Sequence, residues 1–334
     1  MKVKVLFAAD LFGNFAALEK QLPKFDVVFC VGKTLSIDES TAAILSNNFK
    51  GFPVPIYFVD NGPLKHVLAA KYPKGGEICP NLFYLAGVGV QKIKGLTVAH
   101  VSGDYEYRKS RPRANDLNSV LDGLSLYDDS DIDKVLASLS ADTEFKGLDI
   151  LLTCNWPKGY SHYLEQFQMH ADVSVQEFTG LEVISKFSYF GKPRYHITSG
   201  HDYYFERIPY INYDGAGKPA HVTRLIGLGR CPQGANKAKY KYLYAAGLAP
   251  VDSMDAATLH DRPTATTENP YFSLFLSEQE RSLTVGGSAP NTNMQSIDDI
   301  FKEEAELKPL TAEEKSKIES LQSSVMLHVS GINL

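Results

Sequence analysis

Asp10-Leu11-Phe12-Gly13-Asn14 follows directly on the apolar run Val3 to Ala9. A carboxylate delivered at the end of a buried strand, next to a glycine turn, can ligate a metal or hold a loop. Four more segments follow apolar runs in the same way: Cys30-Val31-Gly32-Lys33, Val59-Asp60-Asn61-Gly62, Cys154-Asn155-Trp156-Pro157 and Ser199-Gly200-His201-Asp202-Tyr203. Hydrolysis of a phosphate ester by paired metals requires two cations about 3.5–4 Å apart, held by carboxylates, imidazoles and amides. Asp10, Asn61 and His201 suit that task, and Cys154 suits a soft metal. Phe12 cannot ligate a metal, Gly62 and Tyr203 cannot stand in for an imidazole, and Lys33 is itself a cation.

The elements that position these segments are strand-like. Apolar, β-rich runs cover Lys2–Ala9, Asp26–Val31, Ile56–Val59, Leu82–Leu85, Leu96–Val101, Ile150–Thr153 and Arg194–Thr198. Phe15–Leu22 and Ser130–Ser140 read as helices between them, which points to an α/β sheet. Thr223–Leu228 and Tyr240–Ala246 follow as strands with no helix between, so a mixed or second sheet is expected. The chain has 334 residues, 44% hydrophobic and 22% charged. That is enough for one large domain with extras, or for two domains. A net charge of -5 argues against a general nucleic-acid coat, which needs an excess of Lys and Arg. The four cysteines are scattered and form no C-x-x-C pair, which suits buried, reduced thiols. No stretch approaches the roughly 20 apolar residues of a membrane helix.

From about Asp252 the texture changes. Residues 261–269 and 284–296 are polar, with few apolar anchors, and read as linker. Thr311-Ala312-Glu313-Glu314 forms a capping box, and Ile318, Leu321 and Val325 follow at helical spacing. The expected division is a domain over 1–250, an extended segment and linker over 251–296 and a short helical tail over 297–334. A proteolytic core near 1–272 goes with it.

The five strand-end segments, in order, resemble the ligand pattern of the metallophosphoesterases: Asp-x-His, Gly-Asp, Gly-Asn-His, a lone His and Gly-His-x-His. That resemblance implies a sandwich of two mixed β-sheets flanked by helices. It also implies that Phe12, Gly62 and Tyr203 replace histidines, that Lys33 replaces the aspartate bridging the two metals, and that Cys154 lies where a lone histidine is expected. Asp10 would serve one metal, and Asn61 and His201 the other. No intact site remains, and neither a metal nor another cofactor is expected. Lys33 is expected to stand in for the lost cation as an ion-pair partner of Asp10. At about 4 Å and an effective dielectric of ~20 such a pair gains up to ~4 kcal/mol before desolvation.

Further blocks narrow the match. They are Phe145 to Thr153 followed by Trp156-Pro157, Lys192 to His196 with Tyr204 to Arg207, Thr223 to Ile226, Lys241 to Ala245, and Thr267-Glu268-Asn269-Pro270-Tyr271. Together they resemble the Cwf-nineteen-like, or CwfJ, family over roughly residues 1–272. The resemblance implies a nuclear, non-catalytic scaffold of late spliceosomes that assists intron-lariat debranching. It implies partnership with the lariat-debranching enzyme and spliceosomal proteins, and contact with RNA is a further option. The CwfJ carboxy-terminal domains are expected to be missing, so that this is a short isoform or a fragment. The competing readings are an active phosphodiesterase with a rearranged metal site and a generic protein-interaction module.

Two patches offer cations beside aromatic rings. One is the loop Tyr107 to Arg113, with Arg108, Lys109, Arg111 and Arg113. The other is Lys237 to Tyr242, with Lys239, Tyr240, Lys241 and Tyr242. Both combine phosphate contact with stacking and could meet RNA or a partner. The plainer alternative is a solvated loop and a lysine-guarded strand edge. Arg194 and Arg207 are expected to form internal pairs with carboxylates such as Glu206.

Overall fold

The computed structural model describes residues 2–46, 49–106, 126–165, 180–214, 217–234 and 237–275. The basic loop with Arg108, Lys109, Arg111 and Arg113, the linker 276–296 and the helix around Ile318 lie outside the described residues.

Two mixed sheets carry the fold. The first is built from β1 (Val3–Ala9), β2 (Val27–Val31), β3 (Ile56–Phe58), β4 (Gly76–Cys79) and β5 (Leu82–Tyr84). The second takes β6 (Val88–Ile93) and β7 (Leu96–Val101), a small pair β8 (Asp104–Tyr105) and β9 (Leu126–Tyr127) lies apart, and the second sheet continues with β10 (Ile150–Thr153), β11 (Tyr195–Thr198), β12 (Phe205–Glu206), β13 (Tyr210–Tyr213) and β14 (Pro219–Gly227). The last strand, β15 (Leu243–Leu248), returns to the first sheet, whose order is β15-β1-β2-β3-β5-β4. The second sheet runs β12-β14-β11-β10-β7-β6, with β13 also on β14. β1, β2, β3 and β5 are mutually parallel, as are β7, β10, β11 and β14.

Strand periodicity explains the packing. Val5, Phe7, Val27 and Phe29 from the first sheet meet Val98, Ile150, Leu152 and Ile197 from the second in one buried core. The alternate residues of the second sheet, Ala99, Val101 and Leu151, face a helical layer instead. The helices among the described residues, in chain order, are α1 (Glu39–Ile44), α2 (Lys65–Lys71), α3 (Asp129–Ser140), α4 (Glu182–Gly191), α5 (Ala256–Leu259) and α6 (Phe272–Phe275). α3 and α4 cover the second sheet through Ile132, Leu136, Ile184 and Phe187. Asp128 caps α3 by accepting from the amides of Ser130 and Asp131, and Asp131 reaches back to the Asp128 amide. The sandwich of two mixed sheets flanked by helices is therefore the one expected.

One expectation needs correction. Phe15–Leu22 is not a helix but two single 3-10 turns, Phe15–Leu18 and Leu22–Lys24. Pro23 fixes the start of the second turn and takes these residues out of the first. The compact unit runs to Leu274. Residues 251–274 are anchored because Val251 donates its amide to Asp149, Thr267 exchanges amide bonds with Pro209 and Ile211, and Tyr271 is fully buried. Among the described residues no helix is long and apolar enough to cross a membrane.

Candidate functional site

Because the parallel strands of each sheet share a direction, the loops after β1, β2, β3, β10 and β11 can gather at one end. Asp10 and Phe12 both take left-handed backbone conformations, with φ of 45° and 48°. Phenylalanine rarely tolerates that region, so the surrounding loop must hold it. The amides of Asp10, Phe12 and Gly13 donate to the carbonyls of Val31, Lys33 and Thr34. The loop after β1 is thus stitched to the loop after β2.

Asp10 Oδ1 accepts the backbone amide of Lys33 at 2.8 Å, and Oδ2 is buried with no hydrogen-bond partner. The expected Asp10–Lys33 ion pair does not form. The Lys33 ammonium lies 5.8 Å from the centre of the Phe12 ring instead, beside the Arg230 guanidinium at 4.8 Å from the same centre. A partly buried lysine gains more by keeping its head near water and a ring face than by entering the site. Burial pushes the Asp10 carboxyl up to about 6, although the Lys33 amide and the Lys33 charge pull the other way.

Gly32 lies at the centre of the convergence. Its φ of +82° and its surroundings demand glycine, since a Cβ would be driven into the Ser199 hydroxyl and the Asp10 carboxylate. Cys154 approaches from β10, fully buried, with its thiol pushed well above its ordinary value by burial. It stands where metal chemistry would need a thiolate, and burial holds the proton on.

The β11 loop departs furthest from a metal centre. Tyr203 is buried, and its hydroxyl is 2.9 Å from that of Tyr160. The rings of His201 and Tyr203 stack on Trp156 at 5.0 and 5.3 Å. Gly227 lets this happen, because a Cβ there would collide with the indole. Burial lowers His201 to about 4 and keeps it neutral at neutral pH. An aromatic cluster thus stands where the metallophosphoesterase pattern has a pair of imidazoles.

Asn61 is half-buried and Gly62 donates its amide to Asp60 Oδ1 at 2.6 Å. Asp60 is the residue that sequence reasoning missed. Fully buried, it also accepts the amides of Thr34 and Leu35, and its own amide donates to Ser102 Oγ. Burial raises it to about 7 even though these amides pull it down. An aspartate directly before the Asn-Gly turn at the end of an apolar strand was the available signal. Asn14 likewise turns to structure, donating to the Pro232 carbonyl at 2.8 Å.

The residues present do not fit a two-metal centre. The one polar oxygen of Asp10 that is satisfied is taken by a backbone amide, the Tyr203 position is filled by a stacked ring, and Gly62 and Phe12 offer no donor. Among the described residues no group of three or more His, Cys, Asp or Glu could hold a metal ion.

Of the second patch, Lys239 and Lys241 are exposed and lie over the rings of Tyr240 and Tyr204, 4.8 and 4.7 Å from their centres. Tyr242 is half-buried, and its carbonyl accepts the amide of Ala9. The expected internal pair of Arg194 forms with Asp149 rather than Glu206, and among the described residues Arg207 pairs with no carboxylate. Arg194 approaches Asp149 at 3.7 Å, and Glu206 accepts from Tyr204 and Tyr244. Arg207, 1% exposed, gives its donors to the carbonyls of Tyr160, Ile208 and His162 and to the Thr267 hydroxyl.

No family model matches the chain. Sequence relatives do. CWF19-like protein 1 homolog of Caenorhabditis elegans is 32% identical over 280 residues, which span 81% of this chain and 48% of that protein. The chain is a CWF19-like homologue. Human CWF19-like protein 1 is 30% identical over 264 residues, 78% of this chain and 46% of the relative. Zinc finger CCCH domain-containing protein 59 of Oryza sativa subsp. japonica is 31% identical over 296 residues, covering 81% and 44%. The chain spans about half the length of the CWF19-like relatives it matches. Among solved structures, TT1561 of Thermus thermophilus superposes with a TM-score of 0.39 at 13% identity, over 69% of this chain and 90% of that one. Purple acid phosphatase PPD1 of yellow lupin gives 0.37 at 11% identity, over 89% and 57%.

Proposed function

We propose that this chain is a non-catalytic, phosphoesterase-like scaffold that acts in the nucleus on late spliceosomes and assists intron-lariat debranching by binding proteins. The observation that carries the reading is the filling of the strand-end cleft by the protein's own groups. The Lys33 amide occupies Asp10, and the stack of Trp156, His201 and Tyr203 occupies the place of imidazole ligands. A cleft closed on itself in this way offers surface rather than an activated water. The CWF19-like relatives and the sequence blocks shared with the CwfJ family support the splicing context. The partners on this reading are the lariat-debranching enzyme and spliceosomal proteins.

The test adds the purified chain to a debranching enzyme acting on branched RNA, with wild type, Asp10→Ala and His201→Ala compared. A scaffold leaves both variants as effective as wild type while they remain folded. Metal-dependent cleavage by the chain alone, abolished by Asp10→Ala, would establish the rival reading of an active phosphodiesterase. Absence of both binding and stimulation would leave a generic interaction module.

A further inference from the structure

We propose that a strip of cations and aromatic rings across the mouth of this cleft binds single-stranded RNA directly. This goes beyond the scaffold reading and needs no debranching enzyme. The strip is continuous through backbone contacts. The Ala9 amide donates to the Tyr242 carbonyl at 3.1 Å, which places the 240–242 segment against the end of β1. The Gly229 amide donates to the Lys241 carbonyl at 2.8 Å, which ties that segment to Arg230. Arg230 and Lys33 then converge on Phe12. Lys239 lies over Tyr240, and Lys241 lies over Tyr204.

Part of the surface charge is already committed to ion pairs. Lys92, Lys134, Lys158 and Lys186 pair with Asp252, Asp131, Glu182 and Asp133. Among the described residues, Lys33, Lys239 and Lys241 form no ion pair within 4 Å of a carboxylate. Arg230 uses only Nε on Asp202, at 3.1 Å, and both side chains are about half exposed. Four cations thus gather at one place, with Arg230 sharing its charge with Asp202 and Lys33 acting on Asp10 through space. Each stands about 5 Å from a ring centre, so that a phosphate drawn to the cation brings its own base within reach of the ring. That pairing of backbone charge with a stacking face suits an unpaired strand, whose bases are free to leave the duplex plane. An acidic peptide would use the charges and leave the rings idle.

The experiment titrates an oligouridylate of about a dozen nucleotides, end-labelled, into the full chain and follows fluorescence anisotropy across salt concentrations. The comparison proteins are the triple variant Arg230→Gln/Lys239→Gln/Lys241→Gln, the milder Lys239→Gln/Lys241→Gln at two exposed positions, and Tyr240→Leu, each checked for an unchanged melting temperature. The triple variant is expected to weaken binding at least about tenfold and to flatten the log–log salt slope by roughly 2, close to one phosphate contact per cation lost. Tyr240→Leu is expected to weaken binding about fivefold with the salt slope unchanged, the signature of a lost stack. Oligouridylate binding that the variants leave intact would place the RNA elsewhere and overturn the proposal. So would no binding at all, or displacement by an equal concentration of polyglutamate of matched charge, which would assign the strip to an acidic peptide. None of these outcomes depends on the debranching assay.

Discussion

Replacing Arg207 with alanine should be among the most damaging single changes in this protein, although the residue is far from any expected chemistry. Its guanidinium is 1% exposed, and among the described residues no carboxylate forms an ion pair with it. It donates through Nε to the Tyr160 carbonyl at 2.6 Å, through Nη1 to the Ile208 carbonyl at 2.6 Å and the Thr267 hydroxyl at 2.8 Å, and through Nη2 to the His162 carbonyl at 2.7 Å. The Tyr210 ring lies beneath it, 5.2 Å from centre to Cζ. Hydrogen bonds from a charged donor contribute roughly 1.5–3 kcal/mol each. Burying the cation works against them, and burial is the leading reason the guanidinium is easier to deprotonate here than in water. Truncation relieves that cost but strands three backbone carbonyls, the one on buried Tyr160 among them, and opens a cavity. The expected net loss is about 3–5 kcal/mol. Arg207→Lys should lose about 2 kcal/mol or more, because an ammonium cannot spread its donors over a planar array of four acceptors. Urea titration followed by circular dichroism measures both, read as a lower midpoint at unchanged slope. A loss below about 1 kcal/mol for the alanine variant would refute the claim that this array fastens residues 160–162 and 267 to the sheet.

Asp60 predicts an unusual pH dependence. Its folded value of about 7 lies above the ordinary 3.8, so the folded state holds the proton more tightly and stability falls as pH rises through 7. Unfolding free energies taken from about pH 5 to pH 8 should therefore decline, by at most roughly 3 kcal/mol, and Asp60→Asn should flatten the decline. Asp10 acts in the same direction near 6. Gly32→Ala should cost roughly 2–3 kcal/mol, from positive φ and the collision with Ser199 and Asp10, and calorimetry showing an unchanged melting temperature would contradict the packing described. Gly227→Ala should displace Trp156 and change its fluorescence, and a spectrum identical to wild type would show that the indole does not press on that glycine. Protein incubated with manganese or zinc and desalted should retain well under two metal equivalents, and about two equivalents lost on Asp10→Ala would restore the two-metal reading.

Strands buried on both faces were the easiest to read. β7 and β10 are mostly apolar and buried, and their observed limits match those expected. β4 and β6 are partly exposed, contain glycine and lack clean alternation, so they left little trace in the sequence. α4 was missed since its buried face includes Ser185 and Ser188, which look polar in isolation but bond to Lys158 and Tyr210. At the site, the positions of Asp10, Gly32, Cys154 and His201 were legible from residue type and order. Their partners were not. That Lys33 would offer its amide to Asp10 and its ammonium to a ring depends on a backbone turn that charge alone does not reveal. Asp60 escaped notice, and Arg207 was given the wrong kind of partner, for a related reason, since their significance lies in carbonyls and amides contributed by distant loops.

The pairing of β1 with β15 bears on how the chain is made. Val3 lies opposite Leu248, and the antiparallel ladder continues to Ala8 opposite Leu243. While the ribosome is still working through the intervening sequence, β1 has an open flank along which another strand can add. At ordinary synthesis rates of about 5–20 residues per second that interval lasts on the order of ten seconds or more. An unpaired apolar strand is a template for aggregation during that time. A translation product halted before β15 would keep that flank open permanently. Nascent chains of this protein are therefore expected to engage chaperones until the sixth strand of the first sheet emerges, and to let go once it closes the edge.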